Sequence, residues 1–215
     1  MIFYYLHGFA SSARSSKAGF FASKLHDLGL DLRTPDFNEP DFSTLTIGRM
    51  VARVVSDIDA QPREPVTLIG SSLGGFVAVQ AALQRPERTA RLILLAPALD
   101  FGGNRIRDLG DRGLEDWERT GVLQVFHYAY GRMMPVHFEL YADARRHDCV
   151  NARLPMPILI FQGRRDTAVE PESVERWAST RPNVELHMFD DDHQLASSLP
   201  EIWAITSRFL VLTAS

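Results

Sequence analysis

Cysteine is nearly missing from the sequence, long apolar runs are absent, and positive charge is not in surplus. A single cysteine, Cys149, excludes an internal disulfide framework and fits a reducing compartment. No apolar stretch approaches the roughly 18 residues that would suggest a membrane span. The 23 Lys and Arg are outnumbered by 27 Asp and Glu, for a formal charge of −4, so there is no basic face for nucleic acid and none is expected as a partner. The opening Met1-Ile2-Phe3-Tyr4-Tyr5-Leu6-His7-Gly8 carries neither a basic n-region nor a small-residue cleavage site. A cytoplasmic chain without a leader is the expectation. There is no HExxH or comparable metal-ligand spacing, no repeat and no low-complexity tract, so neither a metal nor another cofactor is expected.

The remaining composition is that of one globular core: 45% hydrophobic and 23% charged over 215 residues. A single domain, 1–215, is expected. Short continuous apolar runs at Ile2–Leu6, Val66–Ile69, Leu92–Ala96, Ile158–Phe161 and Val184–Phe189 read as strands, with a weaker alternating edge at Leu30–Arg33. Between them, helical signals lie at Ser15/Ser16 to about Leu28, Leu45–Ile58, Phe76–Leu83, Glu172–Ser179 and Pro200–Leu212. Strands alternating with helices predict an α/β fold, a mostly parallel sheet of about six strands covered on both faces. Residues 99–153 break the alternation, being charged early (Asp100, Arg105, Arg107, Asp108, Asp111, Arg112) and rich in aromatics and methionine later. This stretch reads as a helical cap inserted into the sheet topology, with no clear strand.

The chain is organised around Gly70-Ser71-Ser72-Leu73-Gly74-Gly75, set between a strand and a helix. That context is what a Gly-x-Ser-x-Gly nucleophile elbow requires, and the spacing selects Ser72 over Ser71. A serine hydroxyl needs an oriented base. His193 is the histidine that follows the last strand, and Asp166 follows the strand before it, so the chain order is Ser, acid, His. Glu170 is the nearest competing acid. An oxyanion hole needs two preorganised N–H donors: Leu73, after the nucleophile, and Phe9, in the loop after the first strand. The side chain of His7 reads as a strand-end residue that holds this loop. Asp190-Asp191-Asp192 beside His193 could be taken for metal ligands, yet neighbours in one loop cannot all point at one ion. Cys149 has no cysteine-protease signature around it.

Tyr5-Leu6-His7-Gly8-Phe9-Ala10-Ser11-Ser12-Ala13-Arg14-Ser15-Ser16-Lys17-Ala18 resembles the opening of the small bacterial YqiA/YcfP-like esterases of the α/β-hydrolase superfamily. Pro35-Asp36-Phe37-Asn38, the serine elbow, Gly163-Arg164-Arg165-Asp166 and Asp192-His193 extend the resemblance over nearly the whole chain except residues 99–153. It implies a parallel sheet without the first two strands of larger relatives, and hydrolysis of carboxylic esters. It also implies triad roles for Ser72, Asp166 and His193 and oxyanion donors at Phe9 and Leu73. A small-molecule ester is the expected partner. His193 must be neutral to accept a proton, so activity is expected to fall toward acid. A thioesterase with the same triad, or a hydrolase-fold shell that binds a ligand without turnover, are the alternatives.

Overall fold

The computed structural model describes residues 1–61, 64–101 and 109–211. Its centre is a six-stranded sheet in which every pairing is parallel: β1 (Ile2–Leu6), β2 (Leu32–Arg33), β3 (Val66–Ser71), β4 (Thr89–Leu95), β7 (Ile158–Gly163) and β8 (Val184–Phe189), in the order β2-β1-β3-β4-β7-β8. The expected α/β class and strand number are therefore observed. All residues of β3 and β7 are buried, which is why these strands read as unbroken apolar runs and not as alternation.

Alternate side chains separate onto two cores. Tyr4, Leu6, Leu68, Leu92, Leu94, Ile158 and Ile160 point to one face, where α2 (Ile47–Asp59), α3 (Leu73–Gln84) and α6 (Pro171–Ser179) cover them. Phe3, Tyr5, Ile69, Ile93, Leu159 and Phe161 point to the other, under α1 (Ser16–His26) and α7 (Leu199–Phe209). Helix starts follow local chemistry. Ser15 Oγ accepts from Ala18 N at 3.3 Å to cap α1, and Thr46 Oγ1 accepts from Arg49 N at 3.1 Å to cap α2. In α2 the buried positions Ile47, Met50, Val51, Val54, Val55 and Ile58 keep the helical spacing seen in the sequence.

The stretch between β4 and β7 differs from the helical expectation. It contains α4 (Gly110–Thr120) and α5 (Glu139–Ala144), but between them lies an antiparallel hairpin of β5 (Val122–His127) and β6 (Arg132–His137). Val122, Gln124 and Phe126 alternate with Leu123, Val125 and His127 in exposure, a period of two that the dense aromatics and methionines obscure. Trp117 fastens α4 to the hairpin: it is buried and its Nε1–H donates to Val136 O at 3.0 Å. Of the charged opening of this stretch, Arg105, Arg107 and Asp108 lie outside the described residues, as does the expected helix end at Leu212. Among the described residues no helix is long and apolar enough to cross a membrane.

Candidate active site

Ser72 stands where β3 stops and α3 begins, at φ 53° and ψ −119°. A non-glycine residue there is strained, and the surroundings hold it in place. Its N–H donates to Leu95 O at 2.9 Å, and its carbonyl accepts from Gly75 N at 2.9 Å and Ala98 N at 3.1 Å. The flanking glycines let three chain segments meet at this turn. A Cβ on Gly70 would lie 2.5 Å from Gly74 O, and one on Gly74 would overlap the Leu6 carbonyl oxygen. Gly74→Ala is therefore expected to push α3 off β1 and to lower unfolding free energy by about 3 kcal/mol. An unchanged denaturant midpoint would show that helix and strand are not in contact at this point.

The acid and the histidine meet across neighbouring loops. Asp166, just beyond β7, accepts from His193 Nδ1 at 2.8 Å through Oδ2, and its side chain is fully buried. The same Oδ2 accepts from Gln162 Nε2 at 2.9 Å, and Oδ1 accepts from Ala168 N and Val169 N, both at 2.8 Å. Burial alone would push this carboxyl up. The hydrogen bond and charge of His193, the Val169 N–H and the Gln162 amide outweigh it and hold the carboxyl below its ordinary range. With Nδ1–H directed at Asp166, Nε2 of His193 is the nitrogen left to accept a proton. Glu170, the competing acid, pairs instead with Arg176 at 3.5 Å.

The three aspartates before His193 have separate hydrogen-bonding or ion-pair partners, and among the described residues no group of three His, Cys, Asp or Glu could hold a metal ion. Asp190 pairs with Arg165 at 3.2 Å on the surface, while buried Asp191 accepts from Ser198 Oγ at 2.8 Å and Ser198 N at 3.0 Å. Asp192 Oδ1 accepts from Gln194 N at 2.8 Å. Leu195, fully buried at φ 54°, pins the far side of the loop. Together these contacts set where His193 sits.

On the opposite side of the elbow, Gly8 packs so closely that an added Cβ would stand 3.2 Å from both Ser71 O and Ser72 Cβ. The next N–H, that of Phe9, donates to no other described residue. Leu73 N–H opens α3 and so has no intrahelical acceptor. His7 holds this loop: its Nδ1 lies 2.9 Å from Gly8 O, and its Nε2 accepts from Phe37 N at 3.0 Å. The five predicted residues thus fall in the loops and turns that follow β1, β3, β7 and β8, on one edge of the sheet. The hydrogen bonds join Asp166 to His193, and among the described residues none joins His193 to the Ser72 hydroxyl.

Two contributors escaped the sequence reading. Gln162 is a buried amide at the end of an apolar strand, and that polar interruption was its only signal. Lys17, in the first turn of α1, is also buried. Burial pushes its ammonium down to about 8, against the pull of Asp166, Asp192 and Asp191. Unfolded, the same group would hold its proton to about pH 10.4. Between those values the unfolded state binds more protons, so Lys17 makes stability rise with pH from about 8 to about 10.4. Lys17→Met is expected to flatten that part of a stability–pH curve, and an unchanged slope would count against the buried ammonium.

Cys149 is buried, and burial pushes its thiol up to about 12 despite the hydrogen bond from Gln80. It is not a nucleophile at neutral pH.

The chain belongs to the uncharacterised protein family UPF0227, matched over residues 1–210, and with it to the α/β-hydrolase superfamily. It is 24% identical over 203 residues to bovine palmitoyl-protein thioesterase ABHD10, mitochondrial, covering 89% of this chain and 66% of the relative. The chain spans about half to two thirds of the length of the ABHD10 relatives it matches. Among solved structures, mouse alpha/beta hydrolase domain-containing protein 10 superposes with a TM-score of 0.77 at 22% identity, covering 98% of this chain and 90% of the other. Est1E from Butyrivibrio proteoclasticus, solved with ferulic acid bound, superposes with a TM-score of 0.78 at 18% identity, covering 98% and 88%.

Proposed function

We propose that this UPF0227 member is a serine hydrolase acting on small carboxylic esters. The observation that carries this reading is the strained Ser72 on its strand–helix turn, with a preformed Asp166–His193 pair on the same edge of the sheet. Ser72 Oγ attacks the ester carbonyl carbon while His193 Nε2 takes the hydroxyl proton. The bond to the alkoxy oxygen then breaks, and His193 returns the proton to the departing alcohol. Water repeats the steps on the acyl-serine, releasing the carboxylic acid and restoring the Ser72 hydroxyl. Asp166 stays ionised, holds Nδ1–H and stabilises the imidazolium. The Phe9 and Leu73 N–H groups receive the oxyanion, where losing one donor costs about 2.7–4 kcal/mol of transition-state stabilisation. The hydrogen bond from Ser72 Oγ to His193 Nε2 forms when substrate seats, as catalytic hydrogen bonds close in Michaelis complexes.

Residues 99–153 serve as the cap that selects the substrate. Their hairpin reaches the oxyanion loop, where Tyr128 N donates to Ala10 O at 3.0 Å. A thioester substrate is the second reading, favoured by the bovine relative's name as a palmitoyl-protein thioesterase, and it needs no change in Ser72, His193 or Asp166. A fluorophosphonate probe, with the modified peptide mapped by mass spectrometry, tests the site. Rates on an oxygen ester and a thioester of one acyl group then separate the substrates. An adduct on Ser72 with faster oxygen-ester turnover is expected. A thioester preference would keep the site and change the substrate. No adduct on folded wild-type protein would overturn both readings and leave a shell that binds without turnover.

A further inference from the structure

The loop that carries Phe9 N–H is held from two directions. On the strand side His7 holds Gly8 O, as described above. On the far side Asn38 Nδ2 donates to Ser11 O at 2.9 Å, and His127 Nε2 lies 3.2 Å from Asn38 Oδ1. The amide has one possible orientation here, because the Ser11 carbonyl can only accept. Oδ1 of Asn38 therefore faces the imidazole, and His127 Nε2 carries the hydrogen. Asn38 and His127 are both buried, and His127 ends β5, stacked on Tyr130 at 4.1 Å with the edge of Phe42 at 4.6 Å.

His127 Nδ1, also buried, has no hydrogen-bond partner among the described residues. A phenylalanine would fill the same space between Tyr130 and Phe42 without an unpaired buried nitrogen. What the imidazole adds over a phenyl ring is the Nε2–H directed at Asn38. The next residue, Tyr128, clasps Ala10 O through its backbone N–H at 3.0 Å, and Ala10 itself sits at φ 52°, a conformation that needs holding.

We propose that Asn38 and His127 are positioning residues that tether the oxyanion loop to the β5–β6 hairpin and thereby hold the Phe9 N–H beside Ser72. This rests on the serine-hydrolase reading and deepens it: the hairpin and the oxyanion donor become one mechanical unit. Neither side chain touches the reacting atoms. A displacement of about 1 Å at the donor is enough to cost roughly a hundredfold in rate.

The test compares kcat on an oxygen ester and on the thionoester that differs only by C=S in place of C=O. Sulfur is a larger and weaker acceptor and gains little from donors spaced for an oxyanion. Asn38→Leu and His127→Phe are expected to lower kcat on the oxygen ester by about a hundredfold, and to leave the slower thionoester rate nearly unchanged. Asn38→Asp, which can accept from His127 but cannot donate to Ser11 O, is expected to behave like Asn38→Leu. Should Asn38→Leu fail to fold, His127→Phe carries the comparison, since its ring keeps the packing. An equal loss on both substrates means a structural role only and overturns the proposal, as does no loss on either. Wild-type protein that neither hydrolyses the ester nor forms an adduct on Ser72 removes the hydrolase reading, and the proposal with it. An active wild type with indifferent variants overturns the proposal alone.

Discussion

Replacing Ser72 with alanine is expected to abolish fluorophosphonate labelling and to lower kcat on a small ester by about 10⁴- to 10⁶-fold. The size follows from the acyl-enzyme route, which has no substitute for the attacking oxygen. What survives is the rate supplied by Phe9 and Leu73 N–H groups and by binding. The substitution removes one hydroxyl from a partly exposed position, and the backbone bonds of residue 72 to Leu95, Gly75 and Ala98 remain. Alanine also lacks any stronger preference than serine for φ near 53°, so the thermal midpoint should move little. A variant that folds, yet labels or turns over like wild type, would remove Ser72 from the mechanism and direct attention to another nucleophile.

Asp166→Asn is the second large effect, with kcat expected to fall by about 10⁴-fold while the fold persists. Asparagine is isosteric, but its amide can present N–H to His193 Nδ1, and the imidazole then settles in the tautomer that puts hydrogen on Nε2, where the base should be. The same substitution has a stability signature. The native Asp166 carboxyl titrates below its ordinary range, while in the unfolded chain it titrates near 3.9. Between those values the unfolded state holds more protons, so stability falls as pH drops from about 4 through the native pKa. The asparagine variant should lack this acid-dependent loss. Chemical denaturation across acid pH, run beside kcat on one ester, reads both effects. A full-rate variant would show that His193 needs no carboxylate behind it.

The legible parts of the site were those encoded within a few neighbouring residues. Gly70, Ser72 and Gly74 declare themselves because a strand that turns at once into a helix leaves no room for Cβ atoms against Gly74 O and Leu6 O. The pairing of Asp166 with His193 is legible from their place after apolar runs, since parallel strands put their following loops on one edge of the sheet. The antiparallel hairpin was not legible. Its period of two runs for only six residues per strand, and Tyr128, Tyr130, Met133 and Met134 add apolar signal on both sides of the turn.

By itself the sequence determined the α/β class, the serine turn, the chain order of Ser72, Asp166 and His193, and the poverty of cysteine and the lack of excess basic charge. These are local or cumulative properties, set by side-chain volume, backbone freedom and apolar periodicity along the chain. Only the tertiary structure decided that Gln162 supports Asp166 and that Lys17 is buried within the electrostatic pull of three carboxylates. The same holds for the separate duties of the three aspartates and the link from Asn38 to His127, which stand 89 positions apart. Such pairings depend on which loops the sheet order β2-β1-β3-β4-β7-β8 brings together. A polar side chain carries no mark of its partner until burial removes water as the alternative.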